Sequence, residues 1–176
     1  MSPQRVSFVA GVRAELPILL GVVPFGLIYG ATALAAGLSP FMAQAMSVIV
    51  FAGSAQFVIV QLVAGNVPLL VIAVTALVVN LRHLLYSASI APYLRPLAKR
   101  HRRLLGYLLT DEAFTVSMIH FQQEPDEAAP GWYLAGAGLA LWGTWQLSTA
   151  AGIFLGAGLP AWLPLDFALP LTFIAL

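Results

Sequence analysis

The chain has 176 residues, of which 60% are hydrophobic and only 9% carry a formal charge. Soluble globular domains average about 25% charged residues, so this composition excludes a disordered chain and indicates that lipid surrounds the protein. The net charge of +1 offers no electrostatic basis for nucleic-acid binding. The absence of cysteine excludes disulfides, thiolate metal sites and a cysteine nucleophile.

The positions of the charges predict the fold class. No formal charge occurs between Glu15 and Arg82, or between Glu127 and Asp166. A membrane-spanning helix needs about 20 mostly apolar residues, so the first stretch is long enough for about three spans and the second for one. We therefore predict an all-α, polytopic integral membrane helical bundle that forms a single transmembrane domain over residues 1–176.

A polar segment at 1–15 precedes about five to six apolar segments. They are predicted at about 16–36, 41–64, 69–90, 104–121, 132–156 and from 162 onward. The last of them ends with the chain at Leu176, inside an apolar stretch, and we expect further sequence to complete that helix. A faint similarity between the turns at 37–41 and 158–162 is of the kind found in transporter repeats, but chance similarity between Gly/Pro turns explains it better.

Two loops carry most of the charge. The loop at 95–103 contains five Lys or Arg residues, which predicts a cytoplasmic position, and the acidic loop at 124–127 is then expected outside. The N-terminus, with Arg5 and Arg13, also favours the cytoplasm, yet three spans would separate it from the basic loop. Either segment 41–64 is broken or re-entrant near Gly53, or the N-terminus lies outside.

Ionisable residues inside apolar segments each cost about 2.5–3.5 kcal/mol at a helix centre. Arg82, Asp111 and Glu112 are such residues, and their depths allow Arg82 to pair with either carboxylate. The pair is expected either to hold two helices together or to line a transport pathway. A second carboxylate is left over, which favours the pathway. His83, on the helical face of Asn80, is either a structural residue or a proton relay.

The stretch Phe51–Phe57 contains Gly53, Ser54 and Gln56, which combine a helix breaker, an N-cap residue and an amide. A helix that restarts at Ser54 would offer free N–H groups and a positive dipole end to a substrate carboxylate. The alternative is a notch of small residues in an unbroken helix.

Enzyme chemistry finds little support in the sequence. Ser54 and His83 lack the setting of a serine hydrolase, and only Asp111 lies well inside a segment, whereas an aspartyl enzyme needs two such residues. No phosphate-binding loop or metal-ligand spacing is present. We therefore expect no enzymatic activity and no cofactor.

Several motifs together resemble the AzlC/YgaZ family across nearly the whole chain. They are Val23–Gly26 with Tyr29–Gly30, Phe51–Phe57, Asn80–Tyr86 with its Asn-Leu-Arg-His block, Leu109–Glu112 and Leu163–Pro170. The resemblance implies the large subunit of a two-part exporter of branched-chain or other small neutral amino acids (valine, isoleucine, leucine). It also implies a small AzlD/YgaH-type membrane subunit as partner, and a multi-pass position in the plasma (inner) membrane of a prokaryote.

Two functions are therefore considered. The first is a secondary active exporter, because no nucleotide-binding motif is present. The second is a non-transporting membrane scaffold or assembly subunit. The intramembrane charges favour the exporter.

Overall fold

A computed structural model describes residues 2–156. This range is helical and contains no strand. The predicted all-α membrane fold is confirmed. The segment predicted from 162 onward, with the turn at 158–162 and the motif Leu163–Pro170, lies outside the described residues. The helices are α1 Pro3–Ala35, α2 Pro40–Val50, α3 Gly53–Ala64, α4 Leu69–Val79, α5 Arg82–Ile90, α6 Lys99–Tyr107, α7 Asp111–Gln123 and α8 Pro130–Gly156.

Three of the predicted apolar segments are each divided into two helices. Residues 41–64 form α2 and α3, 69–90 form α4 and α5, and 104–121 fall within α6 and α7. Two helical stretches, Pro3–Ala35 and Leu69–Ile90, are long and apolar enough to cross a membrane. Helix α8 has 27 residues, which at a rise of 1.5 Å per residue also exceeds a hydrocarbon core of about 30 Å.

Local sequence explains where these helices begin. The side chain of Ser39 accepts a hydrogen bond from the Met42 N–H, and Pro40 occupies the first turn of α2. Helix α7 begins in the same way, because the Thr110 hydroxyl accepts from the Ala113 N–H. The turn before α2 contains Gly37 at φ +88°, a left-handed conformation that favours glycine.

The chain divides into two compact units. Unit 1 comprises Met1–Leu20 and Leu81–Gly143, and unit 2 comprises Gly21–Asn80 and Thr144–Leu176. Helices α1 and α8 each contribute residues to both units, whereas α5–α7 belong to unit 1 and α2–α4 to unit 2. The two units are described separately below.

In unit 2, α1 and α8 pack in parallel through small residues. A side chain on Gly26 would overlap Ser148, one on Gly30 would overlap the Thr149 backbone, and one on Gly156 would overlap Ala31. The numbers of the contacting residues therefore increase in the same direction along both helices, which shows that α1 and α8 are parallel. Such close backbone approach is typical of small residues at helix interfaces in membranes.

Unit 1 contains the same parallel arrangement between the first parts of α1 and α8. The Ser7 hydroxyl lies 2.7 Å from Oε1 of Glu127, just before α8. Further along, Gly136 of α8 lies against the Phe8 backbone, and Gly11 of α1 lies against the backbone of Tyr133 and Ala137. The start of α1 and the acidic loop therefore lie at the same end of unit 1.

Helices α6 and α7 form a re-entrant hairpin in unit 1. Leu97, just before α6, contacts Gly131 at the start of α8, and Leu108, just after α6, contacts Gly138. Helix α7 then returns, because the His120 ring near its end stacks on Tyr133 at 3.9 Å. The two helices have nine and 13 residues, so at about 14 and 20 Å neither spans the hydrocarbon core.

This hairpin corrects the expected sidedness of the loops. The basic loop at 95–103 and the acidic loop at 124–127 were expected on opposite sides, but both lie at the end of unit 1 where α8 begins. The physical reason is the interruption after Tyr107, where Thr110 caps a new helix and the chain reverses. In the sequence this interruption lies inside the segment 104–121, which was predicted as one span.

The parallel course of α1 and α8 predicts the topology of segment 40–64. Two parallel spans must be separated by an odd number of crossings. Residues 69–90 supply one crossing and the α6–α7 hairpin supplies none, so α2 and α3 must return to the side from which they entered. We therefore expect the N-terminus and the loop at 95–103 to share the cytoplasmic side, as both of their charge patterns indicate.

Cysteine labelling tests this topology, because the chain has no native cysteine. Lys99→Cys and Glu124→Cys should react with a membrane-impermeant maleimide from the same side, and Leu38→Cys and Gly65→Cys only from the opposite side. Reaction of Leu38→Cys and Gly65→Cys from different sides would show that residues 40–64 cross the membrane. Reaction of Lys99→Cys and Glu124→Cys from different sides would contradict the hairpin.

Candidate functional site

An ion pair joins α5 and α7 in unit 1. Nη2 of Arg82 lies 2.9 Å from Oδ2 of Asp111, and the Tyr86 hydroxyl donates a 2.6 Å hydrogen bond to Oδ1 of the same carboxylate. Of the two predicted pairings, the structure therefore contains the one with Asp111. The side chains of Arg82 and Asp111 are 21% and 28% exposed, so the pair is only partly buried.

Aromatic rings extend this cluster along both helices. The Tyr86 ring stacks on Phe114 at 4.5 Å, and the His83 ring meets Tyr86 edge-on at 5.7 Å. His83 therefore adjoins the ion pair through Tyr86. The Tyr86 side chain thus connects His83 with the Asp111 carboxylate of the ion pair.

Glu112 occupies the first turn of α7. Its carboxylate interacts with the Thr110 hydroxyl and with its own backbone N–H. Both contacts stabilise a negative charge, as does the positive end of the helix dipole. Glu112 thus has hydrogen-bond partners at the start of α7, next to the ion pair between Arg82 and Asp111.

Glu15 is a buried carboxyl group that the sequence analysis missed. Its side chain is fully buried, and neither carboxylate oxygen has a hydrogen-bond partner among the described residues. Glu15 was expected in a polar N-terminal segment. Helix α1 instead begins at Pro3, so Glu15 lies about 18 Å along the helix. The available signal was the apolar character of the residues on both sides of Arg13 and Glu15.

A second carboxylate network lies at the end of unit 1 where α8 begins. Glu127 accepts hydrogen bonds from the Ser7 hydroxyl at 2.7 Å and the Ala129 N–H at 3.0 Å, and it lies 2.8 Å from Nε2 of His120. Burial raises the pKa of Glu127, but these hydrogen bonds outweigh burial and hold its pKa below the ordinary value of 4.5. The network therefore ties α1, α7 and α8 together through an ionised carboxylate.

The lowered pKa predicts a pH-dependent stability. A carboxylate whose pKa is lowered in the folded state stabilises that state above its unfolded pKa, and the contribution is lost as the pH falls below about 4.5. We expect Glu127→Gln to lower the melting temperature in detergent at neutral pH by about 2–4 °C, as a loss near 1 kcal/mol would. The difference from wild type should shrink in acid. The exposed Glu124→Gln is the control, and an equal shift in both variants would contradict the network.

The break between α2 and α3 lies in unit 2. Phe51 adopts a left-handed conformation at φ 37°, Ala52 is extended, and the new helix starts at Gly53. The predicted interruption near Gly53 is thus confirmed. Ser54 is not the N-cap, contrary to expectation, because Ala52 holds that position and Ser54 lies in the first turn. Left-handed backbone is costly for phenylalanine, and such conformations are concentrated at functional sites.

Gln56 and Gly53 both face Trp145 of α8. Oε1 of Gln56 accepts a 3.1 Å hydrogen bond from the Trp145 indole N–H, and a Cβ on Gly53 would lie 3.2 Å from the Trp145 ring. The Gln56 side chain is fully buried, and its Nε2 makes no hydrogen bond within the described range, although the Tyr29 side chain is close enough to interact. A buried donor is therefore available beside the break.

A polar cluster links α2 with α8 in the same unit. Nε2 of Gln44 donates to Oε1 of Gln146 at 2.7 Å, Nε2 of Gln146 donates to the Ser47 carbonyl at 3.2 Å, and the Ser47 and Thr149 hydroxyls are 3.2 Å apart. The sequence analysis missed these residues. The sequence does indicate them, because polar residues recur at i, i+3 in two apolar helices, as Gln44 with Ser47 and Gln146 with Thr149. This spacing places the two residues of each pair on one helix face.

The predicted site residues thus fall into two groups. Gly53, Ser54, Gln56 and Asn80 belong to unit 2, whereas Arg82, His83, Asp111 and Glu112 belong to unit 1. Asn80 is the C-terminal cap of α4. No group of three or more His, Cys, Asp or Glu residues within 2–156 is arranged to hold a metal ion.

Comparison with known proteins identifies the family. The family model described as AzlC protein matches residues 17–159. The inner membrane protein YgaZ of Escherichia coli is 29% identical over 180 residues, which cover 99% of this chain and 73% of that protein. An uncharacterized membrane protein of Archaeoglobus fulgidus is 30% identical over 152 residues, covering 86% of this chain and 64% of that protein.

A third relative, of Bacillus subtilis, is named branched-chain amino acid transport protein AzlC. It is 28% identical over 142 residues, which cover 81% of this chain and 55% of that protein. The chain thus spans between about half and three quarters of the length of these relatives. No solved structure matches the chain. Because the family model covers most of the sequence and the relatives are membrane proteins, the chain is a multi-pass membrane protein that belongs to the AzlC family.

Proposed function

We propose that this protein is the large subunit of a secondary active transporter that exports branched-chain or other small neutral amino acids, such as valine, isoleucine and leucine. A small AzlD/YgaH-type membrane subunit is its partner. The observation that carries the proposal is the match over 81% of the chain to a relative named branched-chain amino acid transport protein. The organisation of the polar groups supports it.

The substrate site is proposed at the α2–α3 break in unit 2. The first turn of α3, which begins at Gly53, lies at the positive end of the helix dipole, where a carboxylate is stabilised. Beside this turn, Nε2 of Gln56 is a buried donor without a hydrogen bond in the described part of the chain. Oε1 of Gln44 is a buried acceptor that likewise makes no hydrogen bond within the described residues. A donor and an acceptor together suit the carboxylate and ammonium groups of an amino acid.

The apolar surroundings of this site favour an uncharged side chain. Phe57, Ile59 and Val60 of α3 are buried in unit 2, and no formal charge occurs in the part of the chain from 16 to 81. A charged substrate side chain would lose its hydration there without gaining a partner of opposite charge. A branched aliphatic side chain would gain from the same environment.

The ion pair between Arg82 and Asp111 is proposed to belong to the transport pathway. Charged residues within membrane segments are costly and typically mark ion or substrate pathways. Both side chains are partly exposed, at 21% and 28%. This exposure supports a role in the pathway over that of a fully buried ion pair that only holds two helices together. Asn80 and His83 flank the pair in sequence, and His83 is proposed as a proton relay.

A non-transporting scaffold is the second function considered, and counterflow distinguishes the two. Vesicles that contain the protein with its small subunit and are loaded with unlabelled valine should accumulate external labelled valine. Isoleucine and leucine should compete, whereas lysine and glutamate should not. A scaffold would give no accumulation above empty vesicles, and equal competition by charged amino acids would contradict the proposed substrate class.

A further inference from the structure

Glu15 is a buried acid to which the proposed transport site assigns no role. Its side chain is fully buried in unit 1, and both carboxylate oxygens lack hydrogen-bond partners in the described range. An ionised carboxylate in such a place is strongly destabilised, and the group responds by taking up a proton. The carboxyl form places no net charge in the interior.

The surroundings of Glu15 raise the cost of ionising it. Glu112 on α7 is close enough to act on Glu15 through its charge, and the Tyr133 side chain on α8 interacts electrostatically with Glu15 as well. Neither group supplies a positive charge. Arg82 is already 2.9 Å from Asp111, so it neutralises the neighbouring carboxylate instead.

Of the two glutamates, Glu15 is the one suited to carry the proton. Burial acts against the charged form of both groups, but Glu112 interacts with the Thr110 hydroxyl and with its own backbone N–H at the start of α7, and these contacts partly offset the effect of burial. Glu15 has no comparable contact. The interaction between the two carboxyl groups makes their protonation interdependent.

We propose that Glu15, acting with Glu112, forms a proton-binding site in unit 1 that couples transport to the proton gradient. The role in coupling rests on the proposed transport function, whereas proton binding itself does not. We assign a proton and not a sodium ion, because protonation neutralises the buried carboxylate without the several oxygen ligands that a sodium ion requires.

Infrared spectroscopy tests proton binding without any transport assay. The membrane-reconstituted wild type should show the carbonyl band of a protonated carboxyl group near neutral pH, and this band should be absent from Glu15→Gln. Glutamine has the shape of the neutral acid, so this variant should fold. Glu124→Gln, which changes an exposed loop carboxylate, should retain the band. A Glu15→Gln spectrum that retains the band would overturn the proposal.

Vesicle transport tests the coupling. A pH gradient should accelerate valine transport by the wild type and by Glu124→Gln, whereas the rate of Glu15→Gln should be the same with and without the gradient. Counterflow, which needs no gradient, should persist in Glu15→Gln. Absence of counterflow in the wild type would refute the transport function and leave the infrared result standing. Stimulation by a sodium gradient that disappears in Glu15→Gln would overturn the assignment to protons.

Discussion

Arg82→Ala should reduce the amount of folded protein in the membrane more than the double variant Arg82→Ala/Asp111→Asn does. The single change leaves the Asp111 carboxylate without its cation, and breaking a fully buried pair costs about 3–5 kcal/mol. About a quarter of each side chain is exposed here, so the expected loss lies below that range. Neutralising Asp111 as well removes the uncompensated charge. Membrane yield and melting temperature of the two variants measure the difference.

The exposed Arg102→Ala on α6 is the control for this experiment, and it should resemble the wild type. Tyr86→Phe should give an intermediate effect, because it removes one hydrogen bond to Asp111 but keeps the ring that stacks on Phe114. A double variant as unstable as Arg82→Ala would show that the pair does not determine stability. Full transport by the double variant would exclude the pair from the pathway.

Gln56→Leu should abolish most transport while leaving the protein in the membrane. The change roughly conserves side-chain volume and makes α3 more apolar, so insertion should be unaffected. It removes the donor proposed for the substrate carboxylate together with the acceptor of the Trp145 indole N–H. A site built to hydrogen-bond a polar group loses affinity strongly when one partner is deleted. The apparent affinity for valine in counterflow is the measurement.

Gln61→Leu provides a matched control on the same helix. Gln61 is exposed and lies about one and a half turns of α3 beyond Gln56, and its replacement makes the same chemical change away from the break. It should transport valine at the wild-type rate. Equal transport by Gln56→Leu and Gln61→Leu would remove the α2–α3 break from the substrate site.

The sequence predicted the helical class well because composition and charge-free runs report directly on lipid exposure. It also located the α2–α3 break, since Gly53 and its neighbours carry a local signal. The α6–α7 reversal was not predicted. Thr110 followed by Asp111 and Glu112 is a signal for the start of a helix, but the two carboxylates were interpreted as charges inside one continuous span.

The candidate site was only partly predictable for a related reason. Arg82 and Asp111 were found because charges inside apolar segments are rare. The cluster of Gln44, Ser47 and Gln146 is uncharged and depends on which helices meet, which a single sequence does not contain. Glu15 was assigned to the wrong environment because the start of α1 at Pro3 was placed too late.

Efflux from preloaded vesicles tests the central claim most directly. Vesicles that contain the protein and its small subunit should release labelled valine faster than vesicles with either subunit alone. Gln56→Leu should reduce this release, and Gln61→Leu should not. Release at the rate of empty vesicles with both subunits present would contradict the assignment of this protein as an amino acid exporter.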